Sequence, residues 1–340
     1  MRDGDLLILK GSEVDSLLAG REREIIETVR RAYTAHAENQ SSLPHSLFLR
    51  FPDQPRNRII ALPAYLGADF SVAGIKWISS FPGNLERGLE RASAAVLLNS
   101  TETGRPEALI EGSLISAKRT AASAALAAQR LRDGAVGAGD DSASLVGLGV
   151  INFEIARFLL AACPEIKRLF VFDLDAQRAE QFKERCLATF AGIGVEVVTD
   201  MEAALSCSSL VSLATTALKP HISDLSMCAP ATTILHISLR DITPEAILSA
   251  DNVVDDVDHV ARAETSIHLA EQLTGHRDFV RCTLADILRG VAPARRDKES
   301  ISIFSPFGLG VLDLALSEFV RRQGLEQGMG TIIPSFLPGP

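Results

Sequence analysis

Two glycines and one acidic residue are spaced in this chain as they would be to bind a dinucleotide. The apolar run 143–146 leads into Gly147 and Gly149, a helix-like segment follows, and a second apolar run ends on Asp173. Glycines at a strand-to-helix turn let the backbone approach a pyrophosphate at the helix N-terminus, where unpaired N–H groups favour an anion. Asp173 stands where a carboxylate can accept both ribose hydroxyls and repel a 2′-phosphate, which favours NAD over NADP. Asn152 replaces the third glycine, and a bare Gly-x-Gly also occurs in chance loops, but the flanking strands and the acid favour dinucleotide binding.

Three cations lie in segments that give little local reason for charge. Lys76 is inside the apolar segment 75–78, and Lys118 and Arg119 lie near the start of an alanine-rich helix, where the helix dipole opposes positive charge. Taken alone, Lys76 is more simply an edge lysine that points to water, and the other two form a solvated helix face. The functional alternative is a clamp for a substrate carboxylate, since arginine can bind a carboxylate through two hydrogen bonds.

The apolar run that begins at Thr233 ends on the charged pair Arg240 and Asp241. In open α/β sheets ligands bind outside the carboxyl ends of the strands, so Asp241 could project beside a nicotinamide. Taken alone, Asp241 could equally cap the next helix or form an ion pair with Arg240. The acidic stretch 254–259 has too few histidines and suitably spaced carboxylates to predict a metal site.

The composition narrows the class of protein. A chain of 340 residues with 46% hydrophobic and 23% charged residues suggests two globular domains, and its net charge of −9 argues against nucleic acid as a partner. No apolar run has the length that spans a bilayer, and the N-terminus lacks the apolar core of an export signal. The five cysteines are widely spaced with no C-x-x-C pair, which favours free thiols in a reducing compartment. We therefore expect a cytoplasmic protein with no membrane partner.

The pattern of elements changes along the chain. Residues 6–9, 46–51, 58–64, 72–81, 94–99 and 107–111 read as strands, and their close succession suggests an antiparallel or mixed sheet. A helix is predicted over 113–132 with Ser113 as its N-cap, and a hinge over 133–142. From 143 strands alternate with helices, near 143, 168, 195, 210, 233 and 253, which predicts a doubly wound parallel sheet. The final helix, to about 323, is expected to return to the first domain and make it discontinuous.

Several short motifs occur together in a fixed order. They are Leu62-Pro-Ala-Tyr65, Ile75-Lys-Trp77 with Phe81-Pro-Gly-Asn84, Arg119-Thr-Ala-Ala-Ser123, Gly147-x-Gly149, Asp241 and Gly308-Leu-Gly-Val-Leu-Asp313. In these motifs the chain resembles the ornithine cyclodeaminase/μ-crystallin family over nearly its whole length. The resemblance implies an α/β fold in which residues 133–304 form a Rossmann-type NAD-binding domain. Residues 1–132 with 305–340 would form a discontinuous α+β domain for substrate binding and dimerisation.

The resemblance also implies roles for individual residues. Lys76 and Arg119 would hold the α-carboxylate of an amino-acid substrate, with Arg50 as a further contact. Asp241, together with Lys76, would be catalytic, with Asp241 as the acid/base. The implied cofactor contacts are Thr120, Gly147, Gly149, Val150, Ile151, Asp173, Thr215, Ser238 and Gly310.

Departures from the family pattern point to one subgroup. Ornithine-using members follow the catalytic aspartate with a Gly-Lys-Thr-Glu-like sequence, whereas Ile242-Thr-Pro-Glu245 follows it here. Arg240 adds positive charge, which suits a substrate with several carboxylates and disfavours the terminal ammonium of ornithine. Segments 57–65, 79–84 and 238–241 are most similar to the dehydrogenases that oxidise N-(2-amino-2-carboxyethyl)-L-glutamate with NAD and release 2,3-diaminopropionate for siderophores and peptide antibiotics.

Other activities in the same family remain open at this stage. They are an ornithine cyclodeaminase, an imine reductase or alanine dehydrogenase, and a non-enzymatic μ-crystallin-like binding protein. The presence of Lys76, Arg119 and Asp241 together argues against the non-enzymatic alternative.

Overall fold

The chain forms two compact units, each described separately below. The computed structural model describes residues 2, 4–133 and 140–338. The first unit comprises Met1–Arg119 and Leu309–Pro340, and the second comprises Thr120–Gly308. Most of the predicted hinge, residues 134–139, lies outside the described residues. The functional division into residues 1–132 with 305–340 and residues 133–304 stays a prediction.

The helices and strands follow in chain order. The part before the long central helix contains β1 (Leu6–Leu9), α1 (Gly11–Leu18), α2 (Glu22–Ala37), β2 (Ser41–Ser42), β3 (Leu47–Phe51), β4 (Gln54–Leu66), β5 (Val72–Ser80), a 3₁₀ helix (Pro82–Arg87), β6 (Ala92–Asn99) and β7 (Pro106–Glu111). It is followed by α3 (Ser113–Leu131), β8 (Ser142–Val146), α4 (Val150–Ala162), β9 (Arg168–Phe172), α5 (Ala176–Thr189), β10 (Gly194–Val197), α6 (Met201–Ser206), β11 (Leu210–Leu213), β12 (Thr233–His236), α7 (Pro244–Ser249), β13 (Asp251–Val254), α8 (Val257–Val260), α9 (Ser266–Thr274), β14 (Val280–Thr283), α10 (Leu284–Leu288) and β15 (Ser302–Ser305). The chain ends with α11 (Gly310–Glu326) and β16 (Thr331–Ile333).

The first unit is a mixed sheet with helices on one face. Its strand order is β16-β1-β7-β6-β5-β4-β2, with β3 also paired to β4. Only β1 and β7 run parallel among these described pairs, so of the two predicted alternatives, an antiparallel or a mixed sheet, the structure has the mixed one. Helix α11 packs on β4, β5 and α2, and most of its residues are buried. Side chains alternate across each strand, so Lys76 is buried while its neighbour Trp77 is exposed on the other face.

The second unit is a doubly wound parallel sheet. Its strand order is β10-β9-β8-β11-β12-β15-β13-β14, and neighbouring strands run parallel throughout. Strands β8, β11, β12, β13 and β15 are buried along their length, as expected when both faces of a sheet are covered. The order reverses between β8 and β11, and in such sheets ligands bind at that reversal, outside the carboxyl ends of the strands.

Helix α3 begins differently from the sequence prediction. The carboxylate of Glu111 accepts the backbone N–H groups of Ser113 and Leu114, at 2.6 and 3.1 Å. The hydroxyl of Ser113 instead accepts the N–H of Ala94 in β6, at 2.9 Å. The prediction of Ser113 as a side-chain N-cap is therefore wrong, because a carboxylate two residues earlier already satisfies the first N–H groups of the helix.

No helix in the described part of the chain combines the length and the apolar character needed to cross a membrane.

Two acids of the stretch 254–259 accept backbone N–H groups, and a third, Asp258, pairs with Arg277. Asp255 accepts the N–H groups of Phe307 and Gly308, at 2.9 and 2.7 Å, and Asp256 caps α8.

Candidate functional site

The glycine turn of the second unit lies at the reversal point of its sheet. Gly147 follows β8 with φ of +83°, and a Cβ there would lie 2.7 Å from the carbonyl oxygen of Ala214, after β11. Only glycine combines this left-handed conformation with so close an approach. Gly149 is the N-cap of α4, and apart from its immediate chain neighbours and the helix's own backbone, a Cβ there would meet no described heavy atom within 4 Å. The backbone of the turn is therefore open to close approach at Gly149, beside the first N–H groups of α4, which fits a pyrophosphate.

Asp173 lies immediately after β9 and is tied to this turn. Its Oδ2 accepts the N–H of Leu148 at 2.8 Å, and its Oδ1 accepts the N–H of Asp175 at 3.0 Å. The guanidinium of Arg178, which is half exposed, lies 3.9 Å from Oδ1. Asp173 thus stabilises the glycine turn, and it lies at the position predicted for the residue that binds the ribose.

Asp241 follows β12 and is fully buried. Thr215 and Ser238 both donate their hydroxyls to its carboxylate through short hydrogen bonds. The Nε2 atoms of His221 and His236 lie 3.3 and 3.4 Å from its two oxygens. Burial alone would raise the pKa of Asp241, but the hydrogen bonds and the His236 imidazole hold that pKa well below its usual range. Asp241 is therefore an ionised carboxylate at neutral pH.

The structure decides between the alternatives for Asp241 and its neighbour. The side chain of Thr243, not that of Asp241, caps α7 by accepting the N–H of Ala246. The guanidinium of Arg240 donates to the carbonyl oxygen of Ala263 at 2.7 Å. Capping therefore does not explain Asp241. Leu239, the residue before Arg240, adopts φ of +67°, a strained conformation of the kind that persists at functional sites.

Histidines were the contacts of Asp241 that sequence reasoning missed. His221 lies in the segment after β11, and its backbone N–H donates to the carbonyl oxygen of Asp241 at 2.8 Å. Its ring is 41% exposed, whereas that of His236 is buried. A single histidine in a loop, such as His221, gives no local sign of its partner, so only the fold reveals its contact with Asp241. Thr215 and Ser238, expected as cofactor contacts, have Asp241 as a partner, and their cofactor role stays a prediction.

In the first unit, Lys76 and Arg119 meet on one buried acid. Lys76 Nζ lies 2.7 Å from Asp313 Oδ2, and Arg119 Nε lies 2.9 Å from Asp313 Oδ1. The side chains are 2%, 9% and 0% exposed, respectively. Two cations share one carboxylate, so the cluster has a net positive charge in a region of low dielectric. Such a cluster can bind an anionic group such as a substrate carboxylate.

This cluster corrects two interpretations of the sequence. Lys76 is not an edge lysine, because the sheet's alternation turns it toward Asp313 of α11. Its Nζ also donates to Ser116 Oγ of α3 at 3.2 Å. Lys118 and Arg119 are both buried, so they do not form a solvated helix face. Sequence reasoning missed Asp313 as their partner, although an acid among the apolar residues that begin α11 was a signal.

The remaining predicted residues have the following places. Arg50 is exposed on β3, stacks over Phe48 at 5.6 Å, and lies by strand register on the same sheet face as Lys76. Gly310 begins α11, where a Cβ would lie 3.3 Å from the carbonyl oxygen of Leu62, so it allows close packing on β4. Thr120 is half-buried on α3, and Val150 and Ile151 form the start of α4. Their contacts with substrate or cofactor stay predictions.

Comparison with known proteins identifies the family. The model of the ornithine cyclodeaminase/mu-crystallin family matches residues 7–328. The chain belongs to this family. An N-((2S)-2-amino-2-carboxyethyl)-L-glutamate dehydrogenase of Staphylococcus aureus is 29% identical over 337 residues, covering 97% of this chain and 98% of that protein.

Two solved structures support the same fold. Thermococcus litoralis Delta(1)-pyrroline-2-carboxylate reductase, in complex with NADH and L-proline, has a TM-score of 0.88 at 26% identity, covering 96% of this chain and 99% of that one. An archaeal alanine dehydrogenase dimer with bound NAD has a TM-score of 0.85 at 26% identity, covering 97% and 99%. The Rossmann-type fold and the family resemblance predicted from sequence are confirmed.

Proposed function

We propose that this protein is an NAD-dependent dehydrogenase that cleaves a C–N bond of N-(2-amino-2-carboxyethyl)-L-glutamate. The products are L-2,3-diaminopropionate and 2-oxoglutarate. The observation that carries this choice of substrate is the similarity over 97% of the chain to the Staphylococcus aureus dehydrogenase. The net positive cluster of Lys76, Arg119 and Asp313 and the cation at Arg240 agree with a substrate that has three carboxylates.

The second unit has the features that NAD binding needs. The N-terminus of α4 with Gly149 would hold the pyrophosphate, and Asp173 would hold the adenosine ribose. When bound, NAD supplies the acceptor for the hydride that leaves the substrate. The NAD-bound alanine dehydrogenase and the NADH-bound reductase share this fold, which supports the same cofactor here.

Different residues of the chain bind the substrate and transfer protons. Lys76 and Arg119 bind the glutamyl α-carboxylate and fix the orientation of its Cα–H bond, which lowers the entropic barrier. Loss of hydride from Cα leaves a protonated imine between Cα and the bridging nitrogen. Asp241 takes a proton from water, whose oxygen adds to Cα. The bridging nitrogen then gains a proton, and the new hydroxyl loses its proton as the C=O bond forms and the C–N bond breaks. Water thus supplies the oxygen of 2-oxoglutarate, and one proton is released overall.

The contact between Asp241 and His221 provides a path for the proton that Asp241 takes from water. His221 is partly exposed and lies 3.3 Å from the carboxylate, so it can exchange a proton with Asp241 on one side and with solvent on the other. We propose that this pair returns the proton to the leaving amine.

A reductive activity is the second candidate, because the reductase and the alanine dehydrogenase are also similar over nearly the whole chain. The test is a panel of purified-enzyme assays that follow the NADH absorbance band and the organic products. We expect NADH and 2-oxoglutarate in equal amounts from the conjugate. NADH consumption with an imine, or with a keto acid and ammonia, would assign the reductive activity. Proline from ornithine without net change in NAD would assign a cyclodeaminase.

The charge of Lys76 makes substrate binding depend on pH. Burial lowers the pKa of Lys76 from 10.5 to about 8, although the neighbouring Asp313 opposes this shift. Below about pH 8 the lysine is charged and binds the carboxylate; above it the charge is lost. We therefore expect KM for the conjugate to rise above pH 8, by up to about tenfold per pH unit. Lys76→Arg keeps its charge and should remove this rise; an equal rise in both proteins would contradict the assignment.

We propose that the first unit forms a homodimer through the open face of its sheet. The strand register aligns Leu47, Ala61, Trp77 and Ala95 in one row on that face, opposite the helices. Leu47 and Trp77 are 69% and 45% exposed, an apolar surface that a second copy of the chain would cover. The dimeric alanine dehydrogenase supports this assembly.

Trp77 provides the test of the dimer, since it is the single tryptophan of the chain. We expect Trp77→Glu to convert a dimer to a monomer in light scattering after size exclusion, because a charge would be buried at the interface. In the unsubstituted protein, dilution should shift tryptophan emission to the red as the dimer dissociates. Leu273→Glu, on an exposed position of the second unit, is the control and should remain dimeric. A dimeric Trp77→Glu protein would contradict the proposed interface.

We place this activity in the cytoplasm and in the supply of 2,3-diaminopropionate for siderophores or peptide antibiotics. The five cysteines are free thiols, which supports a reducing compartment. Burial raises the pKa of Cys163, Cys186, Cys228 and Cys282 to about 11, so these thiols are poorly reactive.

A further inference from the structure

The residue at the third glycine position of the dinucleotide fingerprint is built into the turn. Asn152 is fully buried in the first turn of α4. Its Nδ2 donates to the carbonyl oxygens of Val146 and Gly147, at 2.8 and 2.9 Å. Its Oδ1 accepts the hydroxyl of Ser212 in β11 at 2.7 Å. One side chain therefore joins the end of β8, the glycine turn and the neighbouring strand across the reversal point of the sheet.

We propose that Asn152 is a positioning residue that holds the glycine turn in the conformation that binds the pyrophosphate, an inference that rests on the proposed NAD binding. In the usual fingerprint, the third glycine lets helix and strand pack closely. In this chain the same place is filled by an amide whose polar atoms all have partners. A glycine at 152 would leave a cavity and remove the amide from a buried hydroxyl and from the Gly147 carbonyl.

The bond to the Gly147 carbonyl explains why the turn needs this amide. A carbonyl oxygen carries a partial negative charge and repels phosphate. Because Asn152 is buried, its hydrogen bond turns the Gly147 carbonyl toward the interior of the unit. Gly147 donates its own N–H to the carbonyl of Phe172 in β9 at 3.0 Å, and Leu148 donates to Asp173. The turn is thus fixed at successive residues, and the unpaired N–H groups at the start of α4 remain for the anion.

This inference gives an unusual expected result: restoring the consensus glycine weakens cofactor binding. We expect Asn152→Gly to raise Kd for NAD by about tenfold, which corresponds to about 1.4 kcal/mol. Kd for ADP-ribose, which lacks the nicotinamide, should rise by the same factor, because the effect lies at the pyrophosphate. Both constants can be measured by titration calorimetry without turnover.

Asn252 offers a matched control in the same unit. It is equally buried, and its Nδ2 also donates to backbone carbonyls, those of Ile247 at 2.7 Å, Ala250 at 3.2 Å and Phe279 at 3.4 Å. It lies near the start of β13, away from the carboxyl ends of the strands. We expect Asn252→Gly to lower the melting temperature as Asn152→Gly does, but to leave both dissociation constants within about twofold of the original.

The outcomes separate this proposal from the proposed function. Failure of the unsubstituted protein to bind NAD or ADP-ribose would overturn the cofactor assignment itself. If it binds both, then unchanged or tighter binding by Asn152→Gly, or an equal loss in Asn252→Gly, would overturn the positioning role. Should Asn152→Gly not fold, Ser212→Ala removes only the anchor of the Asn152 amide. We expect a rise of about threefold in both constants there, and unchanged constants would overturn the proposal.

Discussion

Asp241→Asn is expected to lower kcat by about 10²–10⁴-fold while Kd for NAD stays within a few-fold of the original, because asparagine keeps the shape but cannot accept a proton. The structure supports this separation. Asp241 is buried, and two hydroxyls and two imidazoles surround its carboxylate. Initial rates of NADH formation, with calorimetric titration of NAD, measure the two quantities.

The control for Asp241 is a carboxylate of the same unit that lies at the surface. Asp258 has a side chain that is 77% exposed and pairs with Arg277 at 2.7 Å. Asp258→Asn should keep the original kcat. If Asp241→Asn retained more than about a tenth of the activity, Asp241 would not be the base.

Asp313→Asn should lower the free energy of unfolding of the first unit by about 3–5 kcal/mol, since it leaves two buried cations without their shared acid. Lys76 and Arg119 both contact this carboxylate within 3 Å. Asp313 also raises the pKa of Lys76 against the effect of burial, so the variant should lose part of the lysine's charge at neutral pH. Urea unfolding followed by Trp77 fluorescence reports on this unit, which contains the single tryptophan.

A double variant separates this electrostatic effect from loss of packing. Lys76→Met removes one of the two buried cations, so Asp313→Asn should cost less in that background than alone. An equal cost in both backgrounds would show that the charges are not coupled. A loss below about 1 kcal/mol for Asp313→Asn alone would contradict the structural role of the acid.

The sequence predicted those parts of the fold that leave a local pattern. The glycine turn, the strand before it and the acid after the next strand are visible within 31 residues, and the alternation of strands and helices predicted the parallel sheet. The short strands β14 and β15 were missed, since four residues of ordinary composition give no period to detect. Strand β15 inserts between β12 and β13, so even the strand order depends on a segment that the pattern did not mark.

Local sequence marked the site residues that conflict with their own surroundings. Lys76 in an apolar strand, Arg119 near a helix N-terminus and Asp241 at a strand end each showed such a conflict. Other contacts join residues far apart in the chain and left no local sign: Arg119 and Asp313 are 194 positions apart, and Asn152 and Ser212 are 60 apart. Asn152 looked like a defect of the fingerprint, whereas the fold makes it a three-way contact. Secondary-structure propensity and hydrophobic periodicity describe only a few neighbouring residues, so they cannot predict contacts between residues that are far apart in the sequence.

The most direct test of the proposed reaction follows the hydride. The conjugate is prepared with deuterium at the glutamyl Cα and incubated with the protein and NAD, and the reduced cofactor and the products are examined by mass spectrometry. The account predicts one deuterium in each NADH, with equal amounts of unlabelled 2,3-diaminopropionate and 2-oxoglutarate. Two results would contradict it. In the first, the conjugate gives no NADH, whereas ornithine gives proline. In the second, the conjugate gives no NADH, whereas the protein consumes NADH in the presence of a keto acid and ammonia.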